Sequence, residues 1–262
     1  MHGIPVRPGS GKKAQSTMNK TYQEAAQLRS CSCDFKGRWR PSAIMETMQE
    51  AGAAHSERLG VGRNALLNMD LAWILVRVQV EMDSYPHIGD TVVTETFPLN
   101  PRRGLFPRYY LFRDGSGAEL GRAATLWALL NLSTRHMSNP PEILALMPDN
   151  SDLAAPLGLP GPVHEVSGTL ETFDFRPVYT DLDVNLHVNN TRYLDWCCNA
   201  LGVDTFRENC LRTFAVNYDQ EVLPGQEVHS ELRRLGGDFS YCSFVDGRRV
   251  FDLGGVLTPD PR

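Results

Sequence analysis

Apolar and polar residues alternate along much of this chain with a period of two, and that period predicts strands. Leu71 to Met82 is dense in Val, Ile and Trp, and Thr91 to Phe97 alternates β-branched residues with polar ones behind a Gly89-Asp90 turn. Arg108 to Arg113 and Leu120 to Leu132 flank Asp114-Gly115-Ser116-Gly117, as the two arms of a hairpin do. Before them, Glu24 to Asp34 reads as an opening strand. The period then changes: Met45, Met48, Gly52, His55 and Leu59 recur at helical spacing behind Pro41-Ser42, with Ser42 as N-cap and Gly60 and Gly62 as the stop. One helix followed by four strands predicts a sheet curled around that helix.

Ser133 to Gly168 breaks the pattern. Pro140, Pro141, Pro148, Pro156, Pro160 and Pro162 make it a poor host for a sheet or a long helix, so it is expected to link two units, with a short helical turn at Glu142 to Met147. Beyond it the same order returns: a strand at Leu170 to Phe175, a helix, then strands near Leu211 to Asp219, Glu227 to Leu235, Phe239 to Asp246 and Val250 to Leu257. Gly89-Asp90-Thr91-Val92 and Gly225-Gln226-Glu227-Val228 occupy the same place in each half, 136 positions apart, which predicts an internal duplication. The expected division is a disordered N-terminal extension at 1–17, one unit at 18–132, a linker at 133–168 and a second unit at 169–262.

The second helix is preceded by Tyr179 to Trp196, in which Asp181, Asp183, Asn185, His187 and Asn189 alternate with Leu182, Val184, Leu186 and Val188. In an extended segment this places acid, amide and imidazole on one side. Tyr193, Leu194, Cys197, Cys198 and Leu201 then take up helical spacing, with Asn189 or Asn190 as N-cap. Polar groups just ahead of a helix N-terminus suit chemistry in which an oxyanion develops. Setting Ser42 opposite Asn190 puts Gly37 opposite Asn185 and Trp39 opposite His187, while the glycine match puts Tyr85 opposite Glu221. In that register only the second half keeps the polar set, and the chain carries one active site.

Composition narrows the partners. A net charge of −5 over 262 residues argues against a general nucleic-acid binder, and the longest apolar runs are far short of the ~20 residues of a membrane helix. Six cysteines with no CxxC pair and no regular framework are expected to be reduced thiols of a cytoplasmic protein. Cys31 and Cys33 lack a second pair for zinc, and Cys197 and Cys198 suit helix packing better than a Cys–His nucleophile. Asp181, Asp183 and Asn185 imitate the start of a calcium loop, but Leu186 stands where glycine belongs and Arg192 where glutamate belongs. No metal is expected.

Asp-Leu-Asp-Val-Asn-Leu-His-Val-Asn-Asn followed by Tyr193 and Trp196 resembles the signature of the acyl-ACP thioesterases, with support from Trp73 to Arg77, Gly89-Asp90 and Tyr218 to Glu221. The resemblance, from about Tyr22 to about Leu257, implies an α+β fold of two tandem hotdog domains, each an antiparallel sheet wrapped around a long helix. It implies hydrolysis of fatty acyl-ACP to fatty acid and ACP, without metal or organic cofactor, by Asp183, Asn185, His187 and Glu221. Plant members carry a Cys directly after that Glu, whereas this chain has Val222, which favours direct attack by water. The first domain of the family holds the acyl chain, which suggests Met45, Met48 and Gly52 as contacts. An acidic ACP calls for a basic surface, for which Arg192 and the run Arg102, Arg103, Arg108 and Arg113 are the candidates. An acyl-CoA thioesterase, a non-catalytic acyl-binding protein and a dehydratase are the rivals on this fold. Both a monomer and a homodimer fit.

Overall fold

In the computed structural model, which describes residues 20–260, ten strands form one continuous sheet, and two helices lie against it. The first half contributes β1 (Tyr22–Gln27), β2 (Leu71–Met82), β3 (Thr91–Pro98), β4 (Phe106–Asp114) and β5 (Glu119–Asn131). The second contributes β6 (Thr169–Phe175), β7 (Asn209–Tyr218), β8 (Val228–Leu235), β9 (Asp238–Val245) and β10 (Arg248–Pro259). Their order across the sheet is β1-β3-β4-β5-β2-β7-β10-β9-β8-β6. Each half has the same internal order, and β2 and β7 meet in the middle as an antiparallel pair from Arg77↔Asn217 to Glu81↔Thr213.

Helix α1 (Pro41–Arg58) lies on the concave face of the first half, burying Ile44, Met45, Met48, Ala51, Gly52 and His55. Pro41 at the first helical position opens it, because its fixed φ suits the helix and its missing N–H is not needed there. Ser42, expected as the cap, lies inside the first turn and is buried. Two short helices, α2 (Arg63–Leu67) and α3 (Pro141–Leu146), pack through Leu66 and Ile143 into a small cluster with Leu71, Phe106 and Leu129.

Helix α4 (Arg192–Leu201) is the second-half counterpart of α1 and is much shorter, 10 residues against 18. It stops at Gly202, whose φ of 84° breaks the helix, and α5 (Val203–Glu208) follows at once. The two long helices touch, and one core runs through both halves: Ile44 and Met48 share it with Leu194 and Cys197, and Val78 and Val80 with Phe214 and Val216.

The proline-rich stretch crosses the convex side of the first half. There Leu153 and Leu157 pack on Phe97, Tyr109 and Ala124, and the buried Asn150 donates to the carbonyls of Lys20 and Pro98. β1 is shorter than the expected Glu24 to Asp34, because a 3-10 turn at Ser30–Ser32 ends the extended run. The expected 1–17 extension lies outside the described residues, among which no helix is long and apolar enough to cross a membrane.

Candidate active site

The segment expected to be extended is a closed turn. After a 3-10 turn at Tyr179–Asp181, Leu182 and Val188 bridge, and the Asp183 N–H donates to the His187 carbonyl at 2.8 Å. Asp183 Oδ1 accepts the backbone N–H groups of Asn185 at 2.8 Å and His187 at 3.1 Å. Leu186 takes φ 60°, and its side chain and that of Val184 are exposed at 68% and 86%. A short carboxylate that competes for backbone N–H groups folds the chain back locally, so the alternation in sequence is not an alternation across a sheet.

Val188 N–H donates to the Val222 carbonyl at 3.0 Å. That bond docks the turn on the segment after β7, which carries Glu221. His187 Nε2 comes to 3.5 Å from Glu221 Oε2, with a third of the His187 side chain and two fifths of Glu221 open to solvent. Asn185 Nδ2 lies 3.4 Å from Asp183 Oδ2. The four residues singled out in the sequence are thus brought together.

Two first-half arginines that sequence patterns did not reveal complete the cluster. Arg63 of α2 donates to Asn185 Oδ1 at 3.3 Å, and Arg135, just past β5, stands 3.8 Å from Glu221 Oε2. With its oxygen held by Arg63 and one N–H directed to Asp183, the exposed Asn185 amide keeps its second N–H for another acceptor.

The N–H groups expected to stabilise an oxyanion are already engaged. Val188 donates to Val222, Asn189 to the Asp181 carbonyl, Thr191 to Asn189 Oδ1 and Arg192 to the Asn189 carbonyl. The helix begins only at Arg192, later than the expected Asn189 or Asn190 cap. Asn189 Oδ1 still accepts the N–H and hydroxyl of Thr191, the residue just ahead of the helix.

The basic candidates separate. Arg108 is not on the surface: it shares the inner face of β4 with Tyr110 and Phe112, is 7% exposed, and meets His55 Nδ1 at 3.0 Å and Thr96 Oγ1 at 3.3 Å. Burial pushes its guanidinium below the usual arginine range. Arg113 is paired with Glu95 and Arg192 with Asp195 and Glu46, while Arg102 and Arg103 are exposed.

Met45 and Met48 line a narrow cavity of about 10 Å³ with Leu75, Val78, Tyr110 and Thr125. A Cβ on Gly52 would come within 2.8 Å of the Tyr110 hydroxyl, so glycine is what lets α1 approach β4. Among the described residues no group of three His, Cys, Asp or Glu side chains could hold a metal ion.

The first half contains a twin of this turn, 149 positions earlier. Asp34 Oδ1 accepts the N–H groups of Lys36 and Arg38, Asp34 N–H donates to the Arg38 carbonyl, and Trp39 N–H donates to Pro86. This register places Lys36 opposite Asn185 and Arg38 opposite His187, one residue away from the expected Gly37 and Trp39, and confirms Tyr85 opposite Glu221. Gly37, with φ 75°, stands opposite Leu186.

Fold and site together define a double hotdog protein with an accessible acid, amide, imidazole and carboxylate cluster. The chain belongs to the acyl-ACP thioesterase family. It matches the acyl-ACP thioesterase N-terminal domain over residues 19–147 and the C-terminal domain over 166–242. It is 30% identical over 210 residues to a dodecanoyl-[acyl-carrier-protein] hydrolase of Umbellularia californica, covering 74% of this chain and 54% of that one. It is 28% identical over 191 residues to a palmitoyl-acyl carrier protein thioesterase of Arabidopsis thaliana, covering 68% and 46%. The chain spans about half the length of the curated relatives it matches. Its fold is that of an acyl-ACP thioesterase from Bacteroides thetaiotaomicron, with TM-score 0.84 and 21% identity over 92% of this chain and 99% of that one. The 12:0-ACP thioesterase from Umbellularia californica aligns with TM-score 0.78 and 24% identity over 92% and 98%.

Proposed function

We propose that this chain hydrolyses the thioester of fatty acyl-ACP to free fatty acid and holo-ACP by direct attack of water. The observation that carries the proposal is the His187–Glu221 pair at 3.5 Å, open to solvent and beside an exposed amide that Asp183 and Arg63 hold in place. A water between Glu221 Oε2 and His187 Nε2 gives up its proton to the carboxylate as its oxygen bonds to the thioester carbon. Asn185 Nδ2–H donates to the carbonyl oxygen as negative charge builds there, the role first assigned to helix N–H groups. The carbon–sulfur bond then breaks, and the departing thiolate takes up the proton. Asp183 is a positioning residue: it holds the backbones of Asn185 and His187 and orients the Asn185 amide.

A covalent route through cysteine has no thiol beside Glu221. The next residue, Val222, is fully buried, and burial raises the Cys197 and Cys198 thiols well out of the reactive range. For the acyl chain we assign the cavity between α1 and β4, where Met45 and Met48 can change rotamer to admit it and Gly52 leaves room beside Tyr110. Arg63 and Arg135, at the mouth of the site, are better placed than the paired Arg192 to meet an acidic carrier. The six free thiols support a reducing compartment, the cytoplasm.

The test is to incubate the protein with matched panels of acyl-ACPs and acyl-CoAs and follow free thiol and fatty acid. Hydrolysis of acyl-ACP that is lost in His187→Ala and Glu221→Ala supports the proposal. Hydrolysis of acyl-CoA alone moves the substrate to coenzyme A. Acyl binding without turnover leaves a binding protein.

A further inference from the structure

A second and much larger cavity is lined in part by Thr180, Asp181 and Arg192, which flank the 183–187 turn. It encloses about 830 Å³ between β6, α4 and the first-half turn, and neither His187 nor Glu221 lines it. That volume falls within the range of roughly 300–1,000 Å³ typical of small-molecule sites. Its origin is the early end of α4. Where α1 runs on for 18 residues, the break at Gly202 leaves the space beside the helix unfilled.

One wall is apolar, and charged side chains line the rest. Phe173 and Phe175 of the edge strand β6 face Trp196, Ala200 and Phe206, with Phe175 and Trp196 edge to face at 4.7 Å between centroids. At the rim Phe35, Val178 and Val203 are exposed at 58%, 59% and 58%, a group of large apolar side chains that a soluble surface rarely leaves open together.

One end is cationic. Arg40 Nε is buried and has no hydrogen-bond partner, and its nearest acid, Asp195 Oδ1, is 3.9 Å away. The carboxylates of the wall are engaged elsewhere: Asp34 by Arg38 at 2.8 Å, Asp195 by Arg192 at 2.8 Å, and Asp181 by the Val178 N–H at 2.8 Å. About a third of the Arg40 side chain is open to solvent, and its guanidinium is available to a ligand that brings an anionic oxygen.

We propose that this cavity binds a long-chain carboxylate, a free fatty acid, with its tail between β6 and α4 and its head on Arg40. The cavity opens beside Asp34 and Phe35 of the first-half turn, where Arg38 is locked and no His–Glu pair stands. The bound molecule is therefore held and not processed. The proposal does not depend on the hydrolytic function, since binding is measured without acyl-ACP.

Trp196 provides the probe. The full chain is titrated with 9,10-dibromostearic acid, below the concentration at which it forms micelles, while tryptophan emission is followed. Saturable quenching is expected, with its Trp196 component lost in Trp196→Phe and in Ala200→Phe, which fills the cavity without adding a tryptophan. Arg40→Gln, a substitution at a half-exposed side chain, weakens binding roughly tenfold by removing a charged hydrogen bond, whereas Arg40→Lys retains most of it. A brominated amine of equal length binds poorly. Absence of saturable quenching overturns the proposal. Quenching in Trp196→Phe as strong as in the parent overturns it too, since the signal then comes from the other tryptophans, of which Trp127 lines the cavity beside Met48. Equal binding by Arg40→Gln, or by the amine, overturns the assignment of a carboxylate to Arg40.

Discussion

The turns at 34–38 and 183–187 share a backbone and differ in purpose. Each is closed by an aspartate that accepts two N–H groups, and each is docked on the far strand by the residue that follows it. In the first half the position of His187 is taken by Arg38, which is 4% exposed and bound to Asp34, Asp260 and the carbonyls of Phe206 and Asn209. Tyr85, in the place of Glu221, donates to the Leu211 carbonyl at 2.7 Å. Every donor there answers to the protein itself. In the second half His187, Asn185 and Glu221 keep unsatisfied hydrogen-bonding capacity facing solvent. The comparison teaches that the turn is a scaffold, and that chemistry depends on side chains being left free for a substrate.

The sharpest way to break this contrast is to remove the free groups. His187→Ala and Glu221→Ala should each lower kcat/KM for acyl-ACP by about 10²–10⁴ with little change in melting temperature; near-normal rates in both would end the catalytic assignment. Asp34→Ala should do the opposite, costing about 3 kcal/mol in urea unfolding because Arg38 loses a buried partner. Turnover per folded molecule should hold; a stable but inactive Asp34→Ala would merge the two roles.

Asp260 sharpens the structural side. Burial works to raise its carboxyl, but the Lys36 hydrogen bond and the Arg38 charge outweigh it and hold the group below the usual range. A depressed folded pKa contributes stability above the unfolded value, and that contribution fades as pH falls through the folded one. Asp260→Asn should therefore be less stable than the parent by about 1–3 kcal/mol at neutral pH, with the gap closing in acid. A gap constant with pH would show that packing, and not charge, is lost.

The smallest effect concerns Leu186, which holds at φ 60° what Gly37 holds at 75°. Leu186→Gly should relieve about 1 kcal/mol of backbone strain, offset in part by the greater freedom of glycine when unfolded. A loss of more than that in thermal unfolding would show the exposed leucine to be packed in the native state.

Most strands were legible because period-two alternation survives in β2, β3 and β5, and the recurring Gly89 and Gly225 exposed the duplication. The site was legible as a composition and not as a shape. Asp183, Asn185 and His187 alternate with aliphatics, yet the alternation belongs to a turn closed by the Asp183 carboxylate. Helix starts misled the comparison of halves, since α1 opens at Pro41 and α4 only at Arg192; the aspartates were the better anchor, and Gly37 marked the positive φ they share. Arg108 could have been placed inside by its own period, with Tyr110 and Phe112 on one face of β4. Arg63 and Arg135 had no local signal, since only the folded chain brings them to Asn185 and Glu221.

The seam between β2 and β7 joins two halves that are both complete hotdog units, through five residue pairs. Because one chain carries both, their encounter is intramolecular, with an effective concentration set by the connecting segment and not by the amount of protein present. Dilution that would separate two identical subunits leaves this pair together. The halves were thus able to diverge, one toward a locked arginine and the other toward an open histidine, without the two changes being imposed on both sides of the seam.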